Sequence, residues 1–276
     1  MNIRRWLTPL CLGLMLFSGY ELTGMLRSYH DNRTVMAEAR QLYGNAEPQP
    51  LFTEATKPPI DAVEAPKGES SQTESPKEAR AQFKALLDVN PDVVGWLRIA
   101  NTAIDYPVVQ GKDNAYYLNR NYKGEESSAG SIFLDFRNDI GKAQPNTVIY
   151  GHRMKDGSMF GDLNKFLKED FIGKNLAFQY DTLYHSYRAE IFSVYPATAD
   201  LNYIQTGFQN EQEYASFLQT LRERSLYKMD TILGTEDRIL TLSTCDYTLD
   251  PAKGRLVIHA KLIEQVNRLQ ALALPL

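Results

Sequence analysis

The distribution of apolar and polar positions divides the 276-residue chain into three stretches. The first is an apolar run, Trp6 to Tyr20, which Glu21 interrupts before Leu22 to Leu26 resume it. Counted from Trp6 to Leu26, it approaches the ~20 residues that span a bilayer. Residues 6–26 are therefore expected to form a transmembrane signal anchor. Arg4 and Arg5 precede it, which puts residues 1–5 in the cytoplasm and the remainder outside. A cleaved signal peptide is the rival, because the strictly apolar part is only 15 residues, but no clear small-x-small cleavage site follows. Ser28 to Leu42 can extend the anchor as a polar helix.

From Gly44 to Pro76 the pattern disappears. Pro48, Pro50, Pro58, Pro59, Pro66 and Pro76 lie among Glu, Lys, Ser, Gln and Thr. Such a stretch cannot bury enough apolar surface to offset its ordering entropy. Residues 27–74 are thus expected to be an extracellular stalk and linker that holds a folded domain, residues 75–266, off the membrane. Residues 267–276 form a tail with no motif.

Periodicity returns in the third stretch. Ser75-Pro76-Lys77-Glu78 has the form of a capped helix start, and Phe83, Leu86 and Leu87 make an apolar stripe that ends before Asn90-Pro91. Strand-like segments then follow at Val94–Ile99, Ile104–Val109, Gly130–Phe136, Thr147–His152, Leu176–Tyr180, Tyr187–Tyr195, Arg238–Cys245 and Arg255–Ile263. Clusters of Gly, Asn, Asp and Pro separate most of them. Helical inserts are expected at Asn114–Asn119, Met159–Lys168 and Asn210–Leu226, the last with Tyr214, Phe217, Leu218 and Leu221 at helical spacing. Eight strands with few helices predict a mainly β fold, a closed or nearly closed barrel rather than a doubly wound sheet.

Composition adds little. A hydrophobic content of 43% suits a globular core, and a net charge of −4 gives no drive toward nucleic acid. Cysteine usage changes the picture more. The chain has two cysteines, Cys11 in the apolar run and Cys245 at the end of a strand. Separated by a membrane boundary they cannot pair, and a lone thiol outside the cytoplasm is either buried as a small hydrophobe or used as a reagent. Cys245 alone does not decide between these.

Two further residues bear on the choice. Thr147 to Arg153 reads as a strand ending in Gly151-His152, which puts an imidazole at a sheet rim. Arg255 starts the next strand ten positions after Cys245, and a hairpin-like return over Asp246 to Gly254 would bring it beside the cysteine. Alternation puts Leu256, Ile258 and Leu262 on the core face and Arg255, Val257 and His259 on the other. Attack on an amide carbonyl needs a thiolate, a proton donor for the departing amine and positive charge for the oxyanion. Cys245, His152 and Arg255 supply these. Individually, His152 can be a satisfied strand-end histidine and Arg255 a salt-bridge arginine. His30, His185 and His259 lack a comparable context. The sequence has no Cys/His cluster at metal spacing and no phosphate-binding glycine loop, so neither metal nor cofactor is expected.

The run Leu240-Thr241-Leu242-Ser243-Thr244-Cys245, with Arg255 ten residues on, resembles the sortase signature. Asn101 to Gln110, Asp113 to Leu118, Gly130 to Asp135 and Tyr150-Gly151-His152 resemble its class B branch. The resemblance covers about Phe83 to Ile263. It implies an eight-stranded sortase barrel with N-terminal helices and a helix inserted before the cysteine strand. It further implies Cys245 as nucleophile, His152 as general acid/base and Arg255 as the group that stabilises the oxyanion or holds substrate backbone.

Its partners would be a secreted protein carrying a C-terminal sorting motif and a peptidoglycan precursor amine, or a pilin lysine. The enzyme would be an extracellular, membrane-tethered monomer that does not bind nucleic acid. Asp246 and Tyr247 have acidic and aromatic counterparts in some class B sequences, and a solvated-loop role competes. A hydrolytic cysteine peptidase using the same residues and a non-catalytic surface or pilus-associated module remain as alternatives.

Overall fold

The computed structural model describes residues 4–44, 78–198, 201–245 and 254–265. Helix α1 spans Arg4–Gly44 as one continuous element of 41 residues. Its Met36, Ala39 and Tyr43, on one face by helical spacing, are buried in the main core. The Tyr43 ring stacks on Trp96 at 4.2 Å, and its hydroxyl donates to the buried carboxylate of Asp181 at 2.6 Å. The second half of α1, expected only as a polar extension of the anchor within the stalk, is therefore packed on the barrel.

No helix among the described residues is long and apolar enough to cross a membrane. This departs from the span expected over residues 6–26. The length of α1 suffices, but Glu21 and the polar or small residues Ser18, Gly19, Thr23 and Gly24 dilute its apolar character. The proline-rich stretch from residue 45 through Lys77, including the helix start expected at Ser75-Pro76, lies outside the described residues. The tail 267–276 does too.

The Phe83-Leu86 stripe forms as expected, as a 3-10 turn Ala81–Phe83 running into α2 (Lys84–Val89). The eight strands are β1 (Val93–Arg98), β2 (Asp105–Val109), β3 (Ile132–Leu134), β4 (Asn146–Gly151), β5 (Ala177–Thr182), β6 (Ser186–Thr198), β7 (Ile239–Cys245) and β8 (Gly254–Glu264). They close into a barrel in the order β1-β2-β3-β4-β7-β8-β6-β5, with β1 pairing to β2 on one side and β5 on the other. Closure leaves the sheet without an unpaired edge. Two neighbouring pairs, β2–β3 and β4–β7, are parallel, and the rest are antiparallel.

Val108, Leu134, Ile149, Leu242, Leu256 and Ile258 belong to the main core. A second core lies on the opposite face of β6, β7 and β8. There α4 (Glu211–Glu223) packs Tyr214, Phe217, Leu218 and Leu221 with Phe192, Tyr195, Ile239 and Val257. The side chain of Asn210 caps α4 by accepting from the Glu213 N–H at 2.9 Å. The helix stops short of the expected Leu226 because the Leu226 N–H instead bonds the Val194 carbonyl on β6. This second core also adds to the expectation for β8. Leu256, Ile258 and Leu262 do face the main core, but Val257 and His259 on the other face are fully buried as well.

The other two inserts are tighter than α-helices. The first is the 3-10 turn Tyr116–Asn119, and the second is the 3-10 turn Gly161–Leu167 followed by α3 (Glu169–Ile172).

Candidate active site

The site forms where β4, β7 and β8 end side by side. Parallel pairing sets Tyr150 beside Ser243 and Gly151 beside Thr244, and antiparallel pairing sets Cys245 opposite Arg255. His152 is the next residue after β4, and Cys245 is the last residue of β7. The three sequence candidates thus occupy neighbouring backbone positions on one rim. Asp246 and Tyr247 lie outside the described residues.

Glycine matters at two points here. A Cβ on Gly151 would come within 2.5 Å of Ile132 and 2.9 Å of Phe160, so only glycine lets β4 pack this close before His152. Gly130 has φ +59, and a Cβ there would lie 2.4 Å from the Leu118 carbonyl and 3.0 Å from the His152 ring. These close approaches bring the Leu118 carbonyl to 2.7 Å from His152 Nε2. A carbonyl only accepts, so Nε2 carries the proton in that bond. The His152 carbonyl accepts from the Phe160 N–H at 2.9 Å, which closes the loop that follows.

A groove of about 260 Å³ runs along this rim, lined by Leu118, Phe133, Gly151, His152, Thr244 and Arg255. Asn114, Tyr150 and Ser243 line it too. Arg255 is half-buried and donates to the Gly254 carbonyl at 2.7 Å. A larger cleft of about 650 Å³ lies between α1 residues 20–29 and the loop residues Ser128 and Met154. That cleft holds the Arg27 guanidinium but no cysteine or histidine, whereas the smaller groove borders both His152 and Arg255.

Four positions along β8 from Arg255, His259 is fully buried. Asn146 Nδ2 donates to the Gln205 carbonyl, so its Oδ1 is the acceptor for the Thr241 hydroxyl at 2.7 Å. That uses the hydroxyl proton, so His259 Nδ1, 2.9 Å away, donates to Thr241, and Nε2 accepts from Tyr195 Oη at 3.0 Å. Burial, with a smaller contribution from Arg224, pushes the His259 pKa down to about 3. It is a neutral structural histidine. Among the described residues no group of three or more His, Cys, Asp or Glu is placed to hold a metal.

The Sortase domain family model matches residues 97–263, from β1 to the end of β8. Over 257 residues the chain is 40% identical to Sortase B of Listeria monocytogenes, which covers 93% of this chain and 95% of the relative. The chain belongs to the sortase family. Among solved structures it is similar to sortase B from Bacillus anthracis, with a TM-score of 0.71 and 46% identity over 87% of this chain and all of that one. The Staphylococcus aureus sortase B–substrate complex aligns with a TM-score of 0.65 and 39% identity over 68% of this chain and 88% of that one. The protein is therefore a cysteine transpeptidase of the class B branch, with the eight-stranded barrel that the sequence resemblance implies.

In this sortase the sequence singled out Cys245, His152 and Arg255 but assigned no role to Asn114, Tyr150, Ser243 or Asp135. A signal for two of them was present. Tyr150 and His152 are two positions apart, as are Ser243 and Cys245, so strand alternation puts each pair on one face. Nothing local marks Asp135 as part of the site: Arg137 is a near neighbour in sequence, but Asn114 and Tyr150 are brought to it only by the barrel.

Proposed function

We propose that this sortase cleaves a C-terminal sorting motif of secreted proteins, with Cys245 as nucleophile, His152 as general acid/base and Arg255 as the oxyanion stabiliser. What carries the reading is the strand register, in which β7 lies between β4 and β8 with Gly151 beside Thr244 and Cys245 opposite Arg255. The Cys245 thiolate attacks the scissile carbonyl carbon, and the carbonyl electron pair moves onto oxygen beside the Arg255 guanidinium. Collapse breaks the C–N bond as His152 gives its proton to the departing amine, leaving a thioester. An amine of a peptidoglycan precursor, or of a pilin, then attacks. His152 takes the amine proton and the thiolate leaves.

The bond from Nε2–H to the Leu118 carbonyl supports Nδ1 as the atom that exchanges protons in these steps. A peptide partner is also in keeping with the S. aureus relative, which is known in complex with its substrate. At ordinary pKa values of ~8.5 and ~6.5, only about one molecule in a hundred would hold thiolate and imidazolium together near pH 7.5. Turnover is accordingly slow and its pH profile bell-shaped.

We also place the catalytic domain at residues 75–266 on the extracellular side, tethered by residues 6–26 and reached through the stretch 27–74. Supporting the tether are Leu12, Leu14, Leu16, Phe17, Leu22 and Leu26, all exposed on α1 and following Arg4 and Arg5.

Mass spectrometry of the full chain in detergent with a sorting-peptide library tests the mechanism. A thioacyl adduct on Cys245 is expected, absent in Cys245→Ala, with transpeptidation product rising when a peptidoglycan-type amine is added. Cleavage that survives Cys245→Ala, or hydrolysis unaffected by amine, would overturn it.

A further inference from the structure

Several separate stretches of chain wall the groove, and one buried carboxylate bonds residues on two of them and is linked to a third. Asp135, just beyond β3, is fully buried. Its Oδ2 accepts from Tyr150 Oη at 2.9 Å, Asn114 Nδ2 at 3.1 Å and Arg137 Nη2 at 2.6 Å. Its Oδ1 accepts from Arg137 Nε at 2.8 Å and the Arg137 N–H at 2.9 Å. Five donors saturate a carboxylate with about four lone-pair sites. Asn114 and Tyr150 line the groove. The third stretch is tied in through Arg137, whose Nη2 also donates to the Ile204 carbonyl at 3.0 Å. Next to Ile204, the Tyr203 hydroxyl lies 3.0 Å from Oγ of the groove residue Ser243.

These contacts fix polarity as well as position. The single hydroxyl proton of Tyr150 points at Asp135, so toward the groove Tyr150 offers lone pairs only. Asn114 Oδ1 accepts from the Phe136 N–H at 3.0 Å, which orients the amide and leaves its second N–H as a donor. Asp135 is buried while its partner Arg137 is exposed, so the pair adds little to stability by charge alone, and the best-attested use of such a buried charged group is to specify one geometry.

We propose that Asp135 is a positioning residue that sets the shape and hydrogen-bond polarity of the peptide groove and thereby its sequence preference. This rests on the groove being where the sorting peptide binds. Asp135 acts through Tyr150, Asn114 and the Tyr203–Ile204 segment, and does not itself meet the substrate.

The test uses the full chain in detergent with a panel of sorting-type pentapeptides varied one position at a time. Asp135→Asn is expected to raise KM about tenfold with kcat within about twofold, and to compress the ratio between best and worst peptides. Tyr150→Phe, which removes one hydroxyl and leaves the core intact, is expected to raise KM several-fold in the same direction. The double variant should be no worse than Asp135→Asn alone, because both act along one path. Should Asp135→Asn fail to fold, Tyr150→Phe decides.

Unchanged KM and peptide ranking in the folded variants, or equal losses for every peptide through kcat alone, would overturn the proposal. The two readings fail separately. A wild-type chain that forms no adduct with any peptide removes the groove reading, whereas normal wild-type turnover with indifferent variants removes only Asp135.

Discussion

His259 and Asp135 both resist protonation in the folded protein, for opposite reasons. Burial keeps His259 neutral. For Asp135, burial alone would raise the pKa, but the hydrogen bonds from Arg137, Tyr150 and Asn114 outweigh it and hold the carboxyl below its ordinary value. Between pH 6.5 and about 3 the unfolded chain binds a proton at residue 259 that the folded chain does not, so stability falls as the pH falls. Asp135 adds a second loss below the usual carboxylate pKa of ~4. His259 alone is expected to cost about 2 kcal/mol between pH 7 and pH 5. Urea denaturation at the two pH values checks this. His259→Gln should flatten the difference, and an unchanged slope would mean that the histidine is not held neutral. None of this is visible from residue types, because His259 sits on the strand face opposite the main core, which only the packing of α4 covers.

Among the elements, α1 carries more of the fold than its sequence suggests. Tyr43 stacks on Trp96, packs its edge on Phe83 at 5.3 Å, and bonds Asp181, which also pairs with Arg80 at 2.9 Å. Residues on the two sides of the proline-rich stretch thus meet at one buried carboxylate. Tyr43→Phe keeps the ring and removes the bond to Asp181, which should cost about 1.5–3 kcal/mol, as for a hydrogen bond to a charged group. Equilibrium unfolding of the full chain in detergent would register it, and no change in midpoint would show that Arg80 and Gln179, whose Nε2 donates to Asp181 at 2.8 Å, suffice for that carboxylate. The eight strands were legible from alternation and turn residues, with ends shifted by a residue or two for most of them. Less legible were the short inserts, where the chain takes 3-10 turns instead of α-helix, and the role of α1, whose buried face shows only three apolar positions.

For the whole molecule, the apolar half of α1 leaves a row of large side chains exposed among the described residues. The tether proposed above expects the full chain to sediment with membranes and to resist carbonate extraction, and deletion of residues 2–26 to release it. Release of the intact chain by carbonate would instead put the helix on the membrane surface, where Glu21 is better tolerated. Within the site, the sequence alone determined which groups could act and which face of each strand they belong to, because side-chain periodicity is a local property of the chain. It also determined, through motif resemblance, the family. The tertiary structure decided which strands lie next to one another and in what register, that α4 buries the second face of β8, and that Asp135 gathers Asn114 and Tyr150 and, through Arg137, the carbonyl of Ile204. Those outcomes depend on barrel closure, which joins residues tens of positions apart, and no window along the chain contains both partners.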